Sequence, residues 1–208
     1  MGLSAAAVAV LAAATCDCSA AARTAVANHR MQLDGRATFP LGTFVHGLDE
    51  SDWGYLAASG FNCVMTYTNG VALPAGVSFN SSTLDLTQDF LDAAERHGMG
   101  VFLSLKDYYD CCHLGPGLKP QPGCCHGFSA KHYDELVSEM IRRFKTHKAL
   151  WGWYLNDEYH PDMIPLVAAR FDQVMRLDGR HVTYSGGSDP SFSICARVLS
   201  ADPQRRRQ

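Results

Sequence analysis

The chain has 208 residues, of which 47% are hydrophobic and 19% are charged, and its formal net charge is −3. This apolar share excludes an intrinsically disordered protein, and the near-neutral charge gives no basic surface for a nucleic-acid partner. The length allows one domain with a sizeable hydrophobic core.

An apolar stretch, LSAAAVAVLAAAT, occupies residues 3–15, and small residues follow at 19–21. It has the length of a signal-peptide hydrophobic region and is shorter than the ~20 residues that span a bilayer. We therefore predict a signal peptide over residues 1–22, a secreted protein without a membrane span, and a single domain over residues 23–208.

Two pairs of adjacent cysteines, each followed by a histidine, lie in a loop rich in glycine and proline: Cys111, Cys112, Cys124 and Cys125. In an oxidising compartment such cysteines favour disulfide bonds. A zinc site and free thiols are the alternatives, and adjacent cysteines fit the wider spacing of paired zinc ligands poorly.

Strand and helix patterns alternate along the chain. The turn signal Asp34-Gly35 predicts a hairpin. Short apolar runs bounded by turn residues then predict strands, at residues 43–46, 61–67, 101–105, 150–155 and 181–185, with a sixth beginning at 197–200. Apolar stripes at helical spacing predict helices, at residues 51–59, 87–98, 129–144 and 163–177. Ser51 and Thr87 are the expected N-caps of the first two helices, and residues 69–86 are expected to form a loop.

This alternation predicts an α/β fold with a parallel sheet, either an open doubly wound sheet or a (β/α)8 barrel. No glycine-rich phosphate-binding motif follows an early strand, which disfavours a dinucleotide-binding sheet, and we expect no cofactor. Polar and aromatic residues instead collect where the predicted strands end: His46, Tyr67, Lys106, Asp107, Tyr108, Asn156, Asp157, Glu158 and Ser185. An active face at the carboxyl ends of barrel strands gives this distribution, so we predict the barrel.

The residues best suited to acid/base catalysis follow the predicted strand LWGWYL, which leads directly into Asn156, Asp157 and Glu158. Aromatic side chains such as Trp153 suit the faces of sugar rings, and a carboxyl group beside them is partly desolvated. Desolvation raises the pKa of a carboxyl group and keeps it protonated as a general acid for glycosidic cleavage. The alternative is that the two carboxylates cap the following helix while the tryptophans fill the core.

The segment GWYLNDEYHPD, preceded by LDGRATFPLGTF, GFNCVMTY and HGMGVFLSL, resembles the catalytic domain of the large clan of retaining glycoside hydrolases built on a (β/α)8 barrel. The resemblance covers residues 31–202 and implies that Glu158, at the end of the fourth strand, is the acid/base. It implies that Asn156 holds the sugar 2-hydroxyl. Asp157 stands between the two and is the second candidate for the acid/base, and Tyr159 replaces a frequent proline.

The nucleophile of this clan is a glutamate at the end of the seventh strand, whereas no glutamate follows Glu158 here. A complete barrel takes about 250 residues. We therefore expect an incomplete barrel of about six βα units, with open edges that a partner chain closes.

Three hypotheses remain from the sequence. The first is a secreted glycoside hydrolase in truncated form, in which His46, Tyr67, Lys106, Tyr108 and Trp153 help Asn156 to bind the carbohydrate. The second is a non-catalytic protein that binds sugar through its aromatic residues. The third is an unrelated hydrolase with a metal held near the His46, Asp157, Glu158 and His160 group, although the second histidine of a helix-borne zinc motif is missing.

Overall fold

The computed structural model describes residues 22–27, 30–45, 47–66, 81–105, 130–156 and 164–185. The strands within these ranges are β1 (Thr24–Ala27), β2 (Arg30–Leu33), β3 (Arg36–Ala37), β4 (Gly42–Val45), β5 (Cys63–Thr66), β6 (Gly100–Ser104), β7 (Leu150–Tyr154) and β8 (Val182–Tyr184). The helices are α1 (Glu50–Ala58), α2 (Ser81–Arg96), α3 (Ala130–Phe144) and α4 (Ile164–Leu177). No helix in these ranges is long and apolar enough to cross a membrane.

Strands β4 to β8 form one parallel sheet, in which the order of the strands is their order along the chain. The four helices bury their apolar residues against one face of this sheet. A doubly wound sheet reverses its strand order and carries helices on both faces, whereas a barrel wall does neither. The predicted incomplete, barrel-like α/β fold is therefore confirmed. The sixth strand predicted at 197–200 lies outside the described residues.

The main core lies between the sheet and the helices. Its fully buried members include Trp53 of α1, Leu91 of α2, Ile141 of α3, Leu103 of β6 and Leu150 of β7. Each such side chain contributes roughly 1.5–3 kcal/mol when it leaves water. Because the strands are parallel, their carboxyl ends lie along one edge of the sheet, and this core holds them in place.

A second, smaller cluster lies on the opposite face of the sheet, which we call the lumen face. Here Phe102 and Trp151 pack with Ala22 and Met31 of the N-terminal segment. Strands β1, β2 and β3 form an antiparallel sheet. Its first residue, Thr24, donates its hydroxyl hydrogen to the Trp151 carbonyl at 2.6 Å. The N-terminal sheet therefore docks at the amino ends of the parallel strands.

The predicted hairpin at Asp34-Gly35 is confirmed, since β2 and β3 pair across it and both residues have positive φ, 50° and 79°. This conformation is typical of a tight two-residue hairpin turn.

Two predicted helix starts are wrong. Helix α1 is capped by Asp49, whose carboxylate accepts from the Asp52 N–H at 2.9 Å, while the Ser51 hydroxyl donates to that same carboxylate. Helix α2 begins at Ser81, so Thr87 lies inside the helix and is fully buried rather than forming its cap.

Candidate functional site

The carboxyl ends of the parallel strands form one edge of the sheet, which we call the rim, and hydrogen bonds join neighbouring strands along it. The Ser104 N–H donates to the Thr66 hydroxyl oxygen at 2.7 Å, which links β6 to β5. The Leu105 N–H donates to the Tyr154 carbonyl at 2.8 Å, which links the end of β6 to β7. Thr66 and Ser104 are both buried. These polar groups of the rim therefore hold neighbouring strands together.

Asn156 is the described residue closest in sequence to the predicted catalytic carboxylates. It is 1% exposed, and its carbonyl accepts a hydrogen bond from the Ser185 hydroxyl at 3.0 Å. The preceding Leu155 N–H donates to the Tyr184 carbonyl at 2.8 Å. These two bonds join the end of β7 to the end of β8. The backbone therefore leaves β7 toward Asp157 from a fixed position at the rim.

β7 is the fourth strand of the parallel sheet. The resemblance stated from the sequence places the acid/base at the end of a fourth strand, and Asn156-Asp157-Glu158 follows β7 closely. The order of strands therefore agrees with the position that the sequence motif requires.

Most of the predicted site residues lie outside the described residues: His46, Tyr67, Lys106, Tyr108, Asp157 and Glu158, together with the disulfide candidates Cys111, Cys112, Cys124 and Cys125. Their roles stay predictions. Along the sequence, His46, Tyr67, Lys106 and Asp157 each come directly after a described residue at the carboxyl end of a parallel strand.

Trp153 was predicted to bind substrate, but the structure places it in the core. The side chain has no exposed surface and packs with the helix-facing cluster. Its indole N–H donates to Asp178 Oδ2 at 2.8 Å. A ring in this position offers no face to a sugar, so its location corresponds to the alternative in which the tryptophans fill the core.

Asp178 organises a buried polar group next to Trp153. The same Oδ2 atom lies 2.6 Å from Nδ1 of His181, and Oδ1 accepts from the Arg180 N–H at 2.9 Å. Burial on its own raises the pKa of the Asp178 carboxyl. The hydrogen bond and charge of His181, with the Trp153 donor, outweigh that effect and hold the pKa below its usual value. These contacts of Asp178 therefore join the helix-facing side of β7, at Trp153, to the residues that lead into β8.

Besides Trp151, β7 has a second aromatic residue on the lumen face, Tyr154, which the sequence analysis did not assign to the site. Its ring stacks on Tyr184 at 5.6 Å between centroids and meets Phe44 edge to face at 5.9 Å. Alternation along the strand is the signal that could have found it, because successive side chains point to opposite faces. With Trp153 on the helix face, Tyr154 must lie on the lumen face.

Within the part of the chain that the structure describes, no group of three or more histidine, cysteine, aspartate or glutamate residues is placed to hold a metal ion. Cys63 is buried with a free thiol, and burial raises the pKa of that thiol to about 11. A thiol with this pKa stays protonated and is a poor nucleophile at neutral pH.

No family model and no curated protein matches the chain. Solved structures do match it. A glycoside hydrolase family 5 mannosidase from Rhizomucor miehei aligns with a TM-score of 0.58 at 11% identity, over 83% of this chain and 57% of that one. A β-D-glucuronidase from Dictyoglomus thermophilum aligns with a TM-score of 0.56 at 16% identity, over 83% and 30%. The endoglucanase Cel5A of Pseudomonas stutzeri, in complex with cellobiose, gives 0.50 at 20% identity, over 65% and 41%.

The chain has the fold of the (β/α)8-barrel glycoside hydrolases. At these identities the likeness concerns the fold, and it agrees with the resemblance drawn from the sequence. The chain spans between 30% and 57% of the length of these three proteins. The described residues account for five parallel strands of this barrel.

Proposed function

We propose that the chain is a glycoside hydrolase-like protein that acts on a carbohydrate at the rim, with Glu158 as the acid/base and Asn156 as the anchor of a sugar hydroxyl. The observation that carries the proposal is the buried Asn156 at the end of the fourth parallel strand, two residues before Glu158. The solved structures that share this fold include a mannosidase and an endoglucanase with bound cellobiose.

The chemistry assigned to Glu158 is protonation of the glycosidic oxygen as the bond to the leaving group breaks. A retaining mechanism needs a second carboxyl group about 5–5.5 Å away as the nucleophile. The sequence has no glutamate after Glu158 to fill that role. A sugar-binding protein that does not cleave its ligand is the second candidate function, and the cleavage measurement below distinguishes the two. In either case we propose a secreted protein with disulfides in the cysteine-rich loop and a polypeptide partner along its open edges.

Binding and cleavage of oligosaccharides by the full chain test the proposal. Manno- and cello-oligosaccharides are the first ligands to try, since the similar structures act on or bind such sugars by their names. Binding is measured by calorimetry and cleavage by chromatography of the products. We expect Glu158→Gln to abolish cleavage and to leave binding within about threefold, because the two side chains have the same shape.

Two further variants make this test specific. Asp157→Asn separates the roles of the adjacent carboxylates, and we expect it to keep most of the cleavage activity. Glu139→Gln on α3 is the matched control, since the Glu139 side chain is 47% exposed and pairs with Arg142. Binding without cleavage in the wild-type chain favours the second candidate. Absence of binding to every sugar tried contradicts the proposal.

A further inference from the structure

Strands β6 and β7, the third and fourth of the parallel sheet, keep their register as far as the rim. Ser104 pairs with Tyr154 in the ladder between the two strands. One residue further on, the Leu105 N–H donates to the Tyr154 carbonyl at 2.8 Å, which continues the same parallel register. The next position in this register pairs Lys106, which follows Leu105 in the sequence, with Asn156. We therefore expect these two residues to stand side by side where β6 and β7 end.

The alternation of side chains places Lys106 and Asn156 in the same phase, that of the lumen face. In β6, Phe102 belongs to the smaller cluster on the lumen face, whereas Leu105 belongs to the helix-facing core. Leu155, which follows β7, belongs to that core as well. Because successive side chains of a strand point to opposite faces, the position after Leu105 and the position after Leu155 both return to the lumen side. A sugar whose hydroxyl is held by Asn156 would therefore have Lys106 as its neighbour.

A lysine at this position brings a positive charge to the site. Among the residues that the sequence predicts to form the site, Lys106 is the only lysine or arginine. Its ammonium group carries three hydrogen-bond donors and no acceptor, so it attracts an anionic group of a ligand more strongly than a neutral hydroxyl. Glu158 cannot serve as the standing partner of this charge, because a general acid has to carry its proton when the glycosidic bond breaks.

Two aspartates are the other carboxylates next to this site in the sequence, Asp107 and Asp157. Each comes two residues after a member of the helix-facing core, Leu105 and Leu155 respectively. The alternation therefore gives both aspartates the phase of the core side rather than that of the lumen. By this phase, the counter-charge for Lys106 comes from the ligand.

We propose that the site selects sugars that carry a carboxylate, with the Lys106 ammonium as the group that binds it. The ligand class is then a uronic acid or its glycoside, held by Asn156 at a ring hydroxyl and by Lys106 at the carboxylate of carbon six. A neutral sugar leaves the ammonium without an anionic partner once water is displaced, and a site built for one polar group rejects ligands that lack it. This inference rests on the proposed carbohydrate function and adds the class of sugar to it.

Matched pairs of methyl glycosides test the selection by titration calorimetry on the full chain. The pairs are the glucuronide with the glucoside, the galacturonide with the galactoside, and the mannuronide with the mannoside. Each pair differs only at carbon six, which is a carboxylate in one member and a hydroxymethyl group in the other. For at least one pair we expect the acidic member to bind about tenfold more tightly or better. Lys106→Met should reduce the affinity for the acidic member to that for the neutral one, and Lys106→Arg should retain the preference because it keeps the charge.

Lys148→Met is the matched control, because Lys148 precedes the amino end of β7 and pairs with Glu95, so it should leave the preference intact. Circular dichroism reports whether each variant is folded. The salt dependence of the wild-type chain gives a test that needs no variant. The preference for the acidic member should fall severalfold between about 0.05 and about 0.5 M sodium chloride, because salt screens the attraction between the two charges.

Equal affinity for the neutral and acidic members overturns the inference and leaves the carbohydrate function standing. A preference that survives in folded Lys106→Met, or that does not change with salt, overturns it as well. Glucose 6-phosphate that binds as tightly as glucuronic acid shows that the site accepts any anion, and it overturns the assignment to carboxylate sugars. Absence of binding to every sugar, neutral or acidic, contradicts the proposed function itself and the inference with it.

Discussion

Gly100 begins β6 at a point where the ring of Trp151 fills the space that a side chain would occupy. A Cβ atom at Gly100 would lie 2.0 Å from Cδ2 of Trp151. We expect Gly100→Ala to lower the free energy of unfolding by about 1–3 kcal/mol, because the ring or the strand must shift. Urea denaturation followed by tryptophan fluorescence measures the change.

The control for Gly100 is Gly54 in α1, where an added Cβ meets no atom within 4 Å. Gly54→Ala should raise the free energy of unfolding by up to about 1 kcal/mol, since alanine is the better helix former. Equal effects of the two substitutions would contradict the close packing of Gly100 against Trp151.

Asp178 accepts hydrogen bonds from Trp153 and from the Arg180 N–H, and it pairs with His181 in the core. Because the folded-state pKa of its carboxyl is lowered, the ionised group adds stability above its unfolded pKa of about 3.9. That contribution is lost as the pH falls from about 4 through the lower folded-state pKa. We expect Asp178→Asn to cost about 3 kcal/mol at neutral pH and to remove this acid-dependent component.

Urea denaturation at several pH values between neutral and strongly acidic measures the effect of Asp178. The difference between the wild-type chain and Asp178→Asn should shrink as the pH falls below about 4. Asp172→Asn, at an exposed position of α4, is the control and should leave the pH profile unchanged. A difference that stays constant down to the lowest pH would contradict the role given to the ionised carboxyl.

At the scale of single residues, the sequence predicts that neighbouring side chains of a strand point to opposite faces of the sheet. It does not predict which of the two faces the lumen. Trp153 and Tyr154 follow each other in a strand, so their side chains must point to opposite faces. Both are large aromatic residues, and neither one's chemistry tells which of them faces the lumen. The hydrogen bond from Trp153 to Asp178 decides it, and the two residues are 25 positions apart. A contact of this kind cannot be read from a local pattern.

Among the elements, α1 depends on a capping box whose two members are both aspartates. The Asp49 carboxylate accepts from the Asp52 N–H at 2.9 Å, and the Asp52 carboxylate accepts from the Asp49 N–H at 3.0 Å. We expect Asp49→Ala to lower the free energy of unfolding by about 1 kcal/mol. Ser51→Ala is the control and should have little effect, because the Ser51 hydroxyl donates to the Asp49 carboxylate but does not itself cap the helix. A larger loss for Ser51→Ala, measured by urea denaturation, would contradict this assignment.

The start of α2 shows why the bounds of helices are harder to predict than the strands. The helix opens with SST, residues that favour caps and turns because their side chains compete for backbone hydrogen bonds. Local propensity therefore predicts a loop. Leu84, Thr87 and Leu91 nevertheless share the buried face of the helix. The helix begins earlier than local propensity predicts because its buried face packs against the sheet, which is a tertiary effect.

For the molecule as a whole, the barrel could be predicted because its evidence is spread along the chain. Apolar strands at regular intervals, amphipathic helices between them and polar residues at the strand ends point to the same architecture. Among the predicted site residues, Asn156 is buried at the rim and Trp153 lies in the helix-facing core. The others lie outside the described residues, so their roles stay predictions. The N-terminal strand β1 was not predicted, since its sequence TAVA is short and rich in alanine.

Thr24 of β1 holds the N-terminal sheet to the amino ends of β7 and β8. Its hydroxyl donates to the Trp151 carbonyl at 2.6 Å and accepts from the Val182 N–H at 2.7 Å, and the residue is buried. Thr24→Val keeps the shape but leaves both backbone groups without this partner, which should cost about 1–3 kcal/mol in the free energy of unfolding. Because the contact joins two sheets, the loss should also loosen the docking of one on the other.

Urea denaturation and hydrogen exchange together test this role of Thr24. We expect the amides of β1, β2 and Val182 to exchange faster in Thr24→Val, whereas those in the centre of β6 respond only through global unfolding. Thr24→Ser retains the hydroxyl and should recover most of the lost stability. Thr38→Val, directly after β3, is the control, since the Thr38 hydroxyl donates locally to the Arg36 carbonyl. Wild-type stability and exchange in Thr24→Val would show that the N-terminal sheet does not depend on this contact to cover the amino ends of the strands.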